Sequence, residues 1–139
     1  MGHKMRVNHT DAEKVVDRSL SGNDEILAIS IMDMGGNPLA AKSKESFKES
    51  FRPAADWQDY GGTLALATLS LVNQVRNVFG EAKAIITIHK NCKLMLLSIS
   101  SYQILVGLVL ERSVNAEDQS IVDNIERLMA DVLNRNGNL

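Results

Sequence analysis

One stretch constrains the fold more than any other: Lys83 to Glu111, KAIITIHKNCKLMLLSISSYQILVGLVLE. Its three apolar runs are parted by two short breaks, Lys90–Lys93 and Ser100–Ser101. Breaks of that length hold a hairpin turn but not the dozen or more residues of a parallel crossover. The stretch therefore predicts a three-stranded antiparallel meander, with strands over Ala84–Lys90, Leu94–Ser100 and Tyr102–Arg112. Asn91 and Cys92 take the first turn. Strand side chains alternate, so Ile85, Thr87 and His89 face one way and Ile86 and Ile88 the other. Gly107 weakens the third strand but lets a helix approach closely.

A second sheet segment precedes it. Glu25 to Met34 reads EILAISIMDM, apolar on both faces: Leu27, Ile29 and Ile31 on one, Ile26, Ala28, Ser30 and Met32 on the other. A strand of that kind belongs inside a sheet covered on both sides. Gly35-Gly36-Asn37 supplies a turn, with Asp33 placed for an Asx-type cap. Pro38 to Ser43 then returns as an edge strand, where the missing N–H of Pro38 is tolerated.

Three helical patterns surround these strands. TDAEKVVDRSLS, residues 10–21, offers Thr10 as N-cap with Glu13 completing a capping box, and Val16 and Leu20 share a face. Residues 63–79, TLALATLSLVNQVRNVF, carry one stripe of Leu64, Thr68, Leu71, Val75 and Val78. A neighbouring stripe holds Ala65, Leu69, Val72 and Phe79, and Gly80 stands as C-cap. The combined arc is wider than one sheet face requires, which marks the helix for self-association. The last helix begins near Ser113 or Asn115. Its stripe of Ile121, Ile125, Leu128 and Val132 is widened by Met129, opposite a solvated face of Asp123, Glu126, Arg127 and Asp131. Residues 44–62 are long for a connection. Phe47 and Phe51, four apart, allow a helical turn there that Pro53 ends.

The expected fold is α+β: a five-stranded antiparallel sheet with helices on both faces, in the order α-β-β-α-β-β-β-α. At 139 residues it forms a single domain over 10–136 behind a flexible segment 1–9. That size buries roughly two-thirds of the unfolded surface without metal or disulfide staples. The 15 basic and 17 acidic residues leave a net charge of −2, which argues against a nucleic-acid or anionic-membrane partner. One cysteine, Cys92, allows no internal disulfide and fits a reducing, cytoplasmic setting. No apolar run approaches the roughly 20 residues of a membrane helix, and the N-terminal residues lack a signal-peptide core.

Chemistry is sparse. There is no G-x-x-x-x-G-K-[ST], G-x-G-x-x-G or G-x-S-x-G pattern. Gly61-Gly62 before Thr63 resembles an anion nest but reads more simply as a flexible helix entry. His89 and Cys92 share a hairpin, yet no carboxylate stands by to orient the imidazole. No His, Asp or Glu spacing makes a metal set. Lys42, Lys44, Lys48 and Arg52 are interrupted by Glu45 and Glu49, so they form no nucleic-acid surface. No catalytic, cofactor-binding or metal residue is expected.

The chain resembles the roadblock/LC7 superfamily. The likeness lies in ILAISIMDMGGNPLAAKS at 26–43, TLALATLSLVNQVRNVFG at 63–80 and the meander over 83–112, and extends over about 10–135. It implies that the first and last helices share one sheet face and the middle helix takes the other. It also implies a homodimer, joined by edge pairing of the third strands and packing of the middle helices. On this chain that interface is Leu64, Thr68, Leu71, Val75 and Val78 with Ala84, Ile86 and Ile88, where Ile86 supports Leu71 and Val75 from the sheet. The implied function is a non-enzymatic scaffold or regulator, with a Ras-like small GTPase as partner and no cofactor. A small-molecule-binding sensory domain of PAS, GAF or profilin-like type is the alternative; it predicts a cavity between the sheet and residues 44–62.

Overall fold

The structure, a computed structural model, describes residues 7–50, 70, 73–80, 83–112 and 118–137. Helix α1 spans His9–Gly22, strands β1 and β2 span Ile26–Asp33 and Pro38–Ser43, and helix α2 spans Glu45–Ser50. Residues 73–79 are helical and are called α3. Strands β3 (Ala84–Ile88), β4 (Cys92–Ile99) and β5 (Ile104–Glu111) follow, then helix α4 (Asp118–Gly137). The expectations for Leu64, Thr68, Leu71, Gly61-Gly62, Phe51 and the start of the last helix lie outside the described residues.

The five strands form one antiparallel sheet in the order β2-β1-β5-β4-β3. The β1–β2 hairpin and the β3–β4–β5 meander are joined by pairing of β1 with β5, which leaves β2 and β3 at the edges. Inner position and two covered faces account for the apolar composition of β1 and β5.

On one face, Ile26, Ile29 and Ile31 of β1 join Ile104, Val106, Leu108 and Leu110 of β5 and Met95, Leu97 and Ile99 of β4. Helices α1 and α4 close this cluster with Val15, Val16, Leu20, Ile125, Met129 and Leu133. α1 packs on β1 and β2 and lies beside α4. The other face carries Leu27, Ala28 and Val109 under Phe47 of α2, and Met32 with Leu105. Leu94, Leu96 and Cys92 are half-buried there.

β1 departs from strict alternation. Ile26 stands opposite Leu110 and Ala28 opposite Val109, so Leu27 is an extra residue on the β1 side. This bulge puts Ile26 on the same face as Ile29 and Ile31 and turns Leu27 to the other. Alternation alone groups Leu27 with Ile29, and the bulge corrects that grouping. A second bulge, at Leu39 in β2, lets both Leu39 and Ala40 pack on the α1 side.

Local chemistry fixes the element ends. α1 starts one residue earlier than Thr10: Asn8 is the N-cap, and its Oδ1 accepts the Asp11 N–H at 2.8 Å. The Asn two residues upstream thus takes the capping role that the Thr10 box would have filled. Asn23 ends the helix and its amide donates to Ser19 O. In the β1–β2 turn, Asp33 Oδ1 accepts the N–H groups of Gly35 and Asn37, while Oδ2 accepts from the Asn37 side chain. Gly36 takes φ 82°, which a side chain disfavours. Gly80 takes the same angle and its N–H donates to Arg76 O, closing α3 as a left-handed cap. β4 begins at Cys92 rather than Leu94, and a 3-10 turn over Ser100–Tyr102 precedes β5. The nearest atom to the bare side of Gly107 is Met32 Cε, at 3.6 Å from where a Cβ would stand, so among the described residues a strand side chain, not a helix, uses that space.

Candidate self-association surface

Among the described residues, β3 is an edge strand with one paired and one open side. His89 N–H donates to Cys92 O, and Ser98 N–H donates to Lys83 O. In an antiparallel ladder the residues that exchange bonds alternate with those that do not. Lys83, Ile85, Thr87 and His89 therefore turn their backbone groups toward β4. Ala84, Ile86 and Ile88 turn theirs outward, each presenting one N–H and one carbonyl along the open edge. An apolar edge of this kind is a template for another strand.

The side chains of the same three residues share a face. Ala84 pairs with Leu97, Ile86 with Met95 and Ile88 with Lys93. Leu97 and Met95 belong to the cluster under α1 and α4, so Ala84, Ile86 and Ile88 lie on the α1/α4 side of the sheet. Ile85 and Thr87 lie on the Phe47 side, with Leu96 and Leu94. The expectation that Ile86 supports a helix contact on the face opposite α1 and α4 is thus not how the register places it. Strand parity, settled by the β3–β4 pairing, decides the matter.

Exposed apolar side chains are concentrated in α3 and β3. Six large apolar side chains are exposed among the described residues, and five lie in α3 or β3: Val75 (43%), Val78 (76%), Phe79 (80%), Ile86 (37%) and Ile88 (64%). Val75, Val78 and Phe79 are three and four apart and share one side of α3. Solitary exposed apolar residues are ordinary; here they are concentrated in two segments that follow one another in the chain.

The catalytic candidates are not assembled. His89 Nε2 is 2.8 Å from Thr87 Oγ1 rather than bonded to the cysteine. Burial pushes the Cys92 thiol up, the reverse of what a nucleophile needs. Backbone N–H donation from Asn37 is the largest influence on Asp33 and holds its carboxyl below the ordinary range, a turn-forming role. Among the described residues there is no group of three His, Cys, Asp or Glu placed to hold a metal, and no helix long and apolar enough to cross a membrane.

Solved structures share this architecture. The gliding protein mglB from Thermus thermophilus aligns with a TM-score of 0.70 at 14% identity, over 95% of this chain and 97% of that one. A structure of MglB with a tetrameric arrangement aligns with a TM-score of 0.67 at 15% identity, over 97% and 96%. A Roadblock/LC7 domain from Streptomyces avermitilis aligns with a TM-score of 0.66 at 12% identity, over 88% and 95%. This is a roadblock/LC7-type fold. No family model and no curated protein matches the sequence. The roadblock-type resemblance therefore rests on architecture, and its element order and antiparallel sheet are those expected from the meander and the glycine-centred hairpin.

Proposed function

We propose that this chain is a non-enzymatic homodimeric scaffold or regulator of a Ras-like small GTPase. The dimer is joined by β3 and by the middle helix, through Leu64, Thr68, Leu71, Val75 and Val78 with Ala84, Ile86 and Ile88. The observation that carries the reading is the coincidence at β3 of an open backbone edge with exposed Ile86 and Ile88. Pairing two such edges about a two-fold axis makes one ten-stranded sheet and satisfies the outward N–H and carbonyl groups of both copies. Val75 and Val78, exposed on α3, are further apolar side chains available for association. Assembly in this fold is supported by the tetrameric arrangement of one MglB structure.

The GTPase partner follows from the roadblock/LC7 resemblance. A regulator needs a rigid platform rather than a reacting group, and the raised Cys92 thiol and the tied-up His89 suit that role. The test is affinity capture on the immobilised chain from the source lysate, loaded either with GDP or with a non-hydrolysable GTP analogue. The reading expects a Ras-sized GTPase, identified by mass spectrometry, to be retained in one nucleotide state over the other. Recovery of no GTPase in either state contradicts it.

A further inference from the structure

Among the described residues the sheet has a second edge, β2, and it is built differently from β3. Within Ala84–Ile88 the pairing with β4 is regular, and the strand holds no proline and no charged side chain. Ala84, Ile86 and Ile88 offer outward backbone groups in unbroken succession. β2 offers fewer. Lys44 N–H donates to Leu27 O at 2.8 Å, so Leu27 and Lys44 form a hydrogen-bonded pair. Alternation along the register then turns Lys42 and Ala40 toward β1 and leaves Ser43 and Ala41 turned outward. Beyond Ala41 the edge is broken: Leu39 is the extra residue of the bulge, and Pro38 has no N–H to offer.

Helix α1 closes what remains. The ring Nδ1 of His9 stands 2.8 Å from Leu39 O. A carbonyl only accepts, so Nδ1 carries the proton and donates it to the bulge carbonyl. Further along, Lys42 Nζ is 2.9 Å from Asp17 Oδ1. His9 and Asp17 are about 12 Å apart along the helix, and Leu39 and Lys42 are about 10 Å apart along the strand. The two ties match in spacing and fasten α1 along β2 in the same direction. Lys42 and Asp17 are 58% and 59% exposed. Two copies paired over Ala41–Ser43 would bring their Lys42–Asp17 pairs face to face and take water from all four charges, a loss that the attraction within each pair does not offset.

Resting on the edge-paired dimer proposed above, we infer that His9 and the Lys42–Asp17 pair close the β2 edge against a second strand, so that copies of this chain join at β3 alone and association stops at two. Without that closure the assembly has no end. Pairing at β3 and pairing at β2 are each two-fold, and a chain able to make both alternates them into an unlimited ribbon of sheet. The closed edge fixes the stoichiometry of the scaffold at two chains.

The test is sedimentation velocity over a concentration series, on the wild type and on His9→Ala combined with Lys42→Thr, with thermal unfolding to confirm the fold. Both replaced side chains are exposed, and threonine suits a strand; either single replacement serves if the pair fails to fold. The inference expects the wild type to level off at two chains and the sedimentation coefficient of the variant to keep rising with concentration. Adding Ile86→Pro to the variant should return it to two chains, now joined at β2. A folded variant that levels off at two chains, a variant whose growth Ile86→Pro does not limit, or a wild type that grows past two overturns the closed edge while leaving the β3 dimer standing. A monomeric wild type overturns the β3 pairing instead; the closed edge is then upheld by a variant that dimerises and overturned by one that stays monomeric.

Discussion

Replacing Ile86 with proline separates the two sides of β3. The Ile86 N–H points away from β4, so proline there removes no hydrogen bond of the single chain. In a two-fold antiparallel pair, each outward N–H of one strand meets an outward carbonyl of the other. Ile86→Pro therefore deletes one bond in each direction, two per dimer, whichever outward residue stands opposite. Each deletion leaves a buried carbonyl without its donor, at about 1–3 kcal/mol. Two such losses weaken association by about 2–6 kcal/mol, a rise in Kd of about 30-fold to more than 10,000-fold. The chain itself tolerates proline on an open edge. Thr87→Pro is the control, because the Thr87 N–H is turned toward β4 and its loss breaks the ladder inside the chain. Sedimentation equilibrium over a dilution series reads the association, and thermal unfolding reads the fold. The reasoning is refuted if Ile86→Pro associates within threefold of the wild type, or if it unfolds the chain as severely as Thr87→Pro does.

Further outcomes follow from the same structure. Asn8→Ala should destabilise the chain by about 0.5–2 kcal/mol through loss of the α1 cap, measured by urea unfolding, whereas Thr10→Ala should lie within about 0.5 kcal/mol of wild type. Ile125→Ala removes a fully buried α4 side chain from the main cluster; it should lower unfolding free energy by about 2–5 kcal/mol, and a smaller loss would mean that α4 is not firmly packed. Asp33 has a folded-state pKa below its ordinary value of 3.8. Its turn therefore contributes stability that is present above about pH 3.8 and is lost as pH falls through the lower folded value. Asp33→Ala should flatten the wild-type decline in stability over that acidic window, and an unchanged decline would contradict the assignment.

Much of the fold is legible in residue order because local rules and tertiary structure agree. Short breaks in the 83–111 stretch dictate the meander, Asp33-Met34-Gly35-Gly36-Asn37 dictates the hairpin turn, and the Ile121–Val132 stripe gives α4 its buried face with Leu128 at its margin. The bulge at Leu27 is different. Nothing in ILAIS announces the extra residue, since its position depends on how β1 meets β5 across most of the chain length. The Asn8 cap is readable in principle, because Asn precedes a good first turn, but Thr10 offers an equally regular signal two residues later. The face of Ile86 illustrates a third limit. Alternation separates Ile86 from Ile85, but only pairing with Met95 and Leu97 shows which of them shares the α1/α4 side.

The central claim is that β3 pairs with a second copy through its open edge, and amide hydrogen exchange resolved by residue tests it most directly. At high protein concentration, every amide from Ala84 to Ile88 should exchange slowly. On dilution below the dimer Kd, Ala84, Ile86 and Ile88 should become fast while Ile85 and Thr87, turned toward β4, stay protected. Fast exchange at Ala84, Ile86 and Ile88 at all concentrations, with Ile85 and Thr87 protected throughout, would contradict the paired edge.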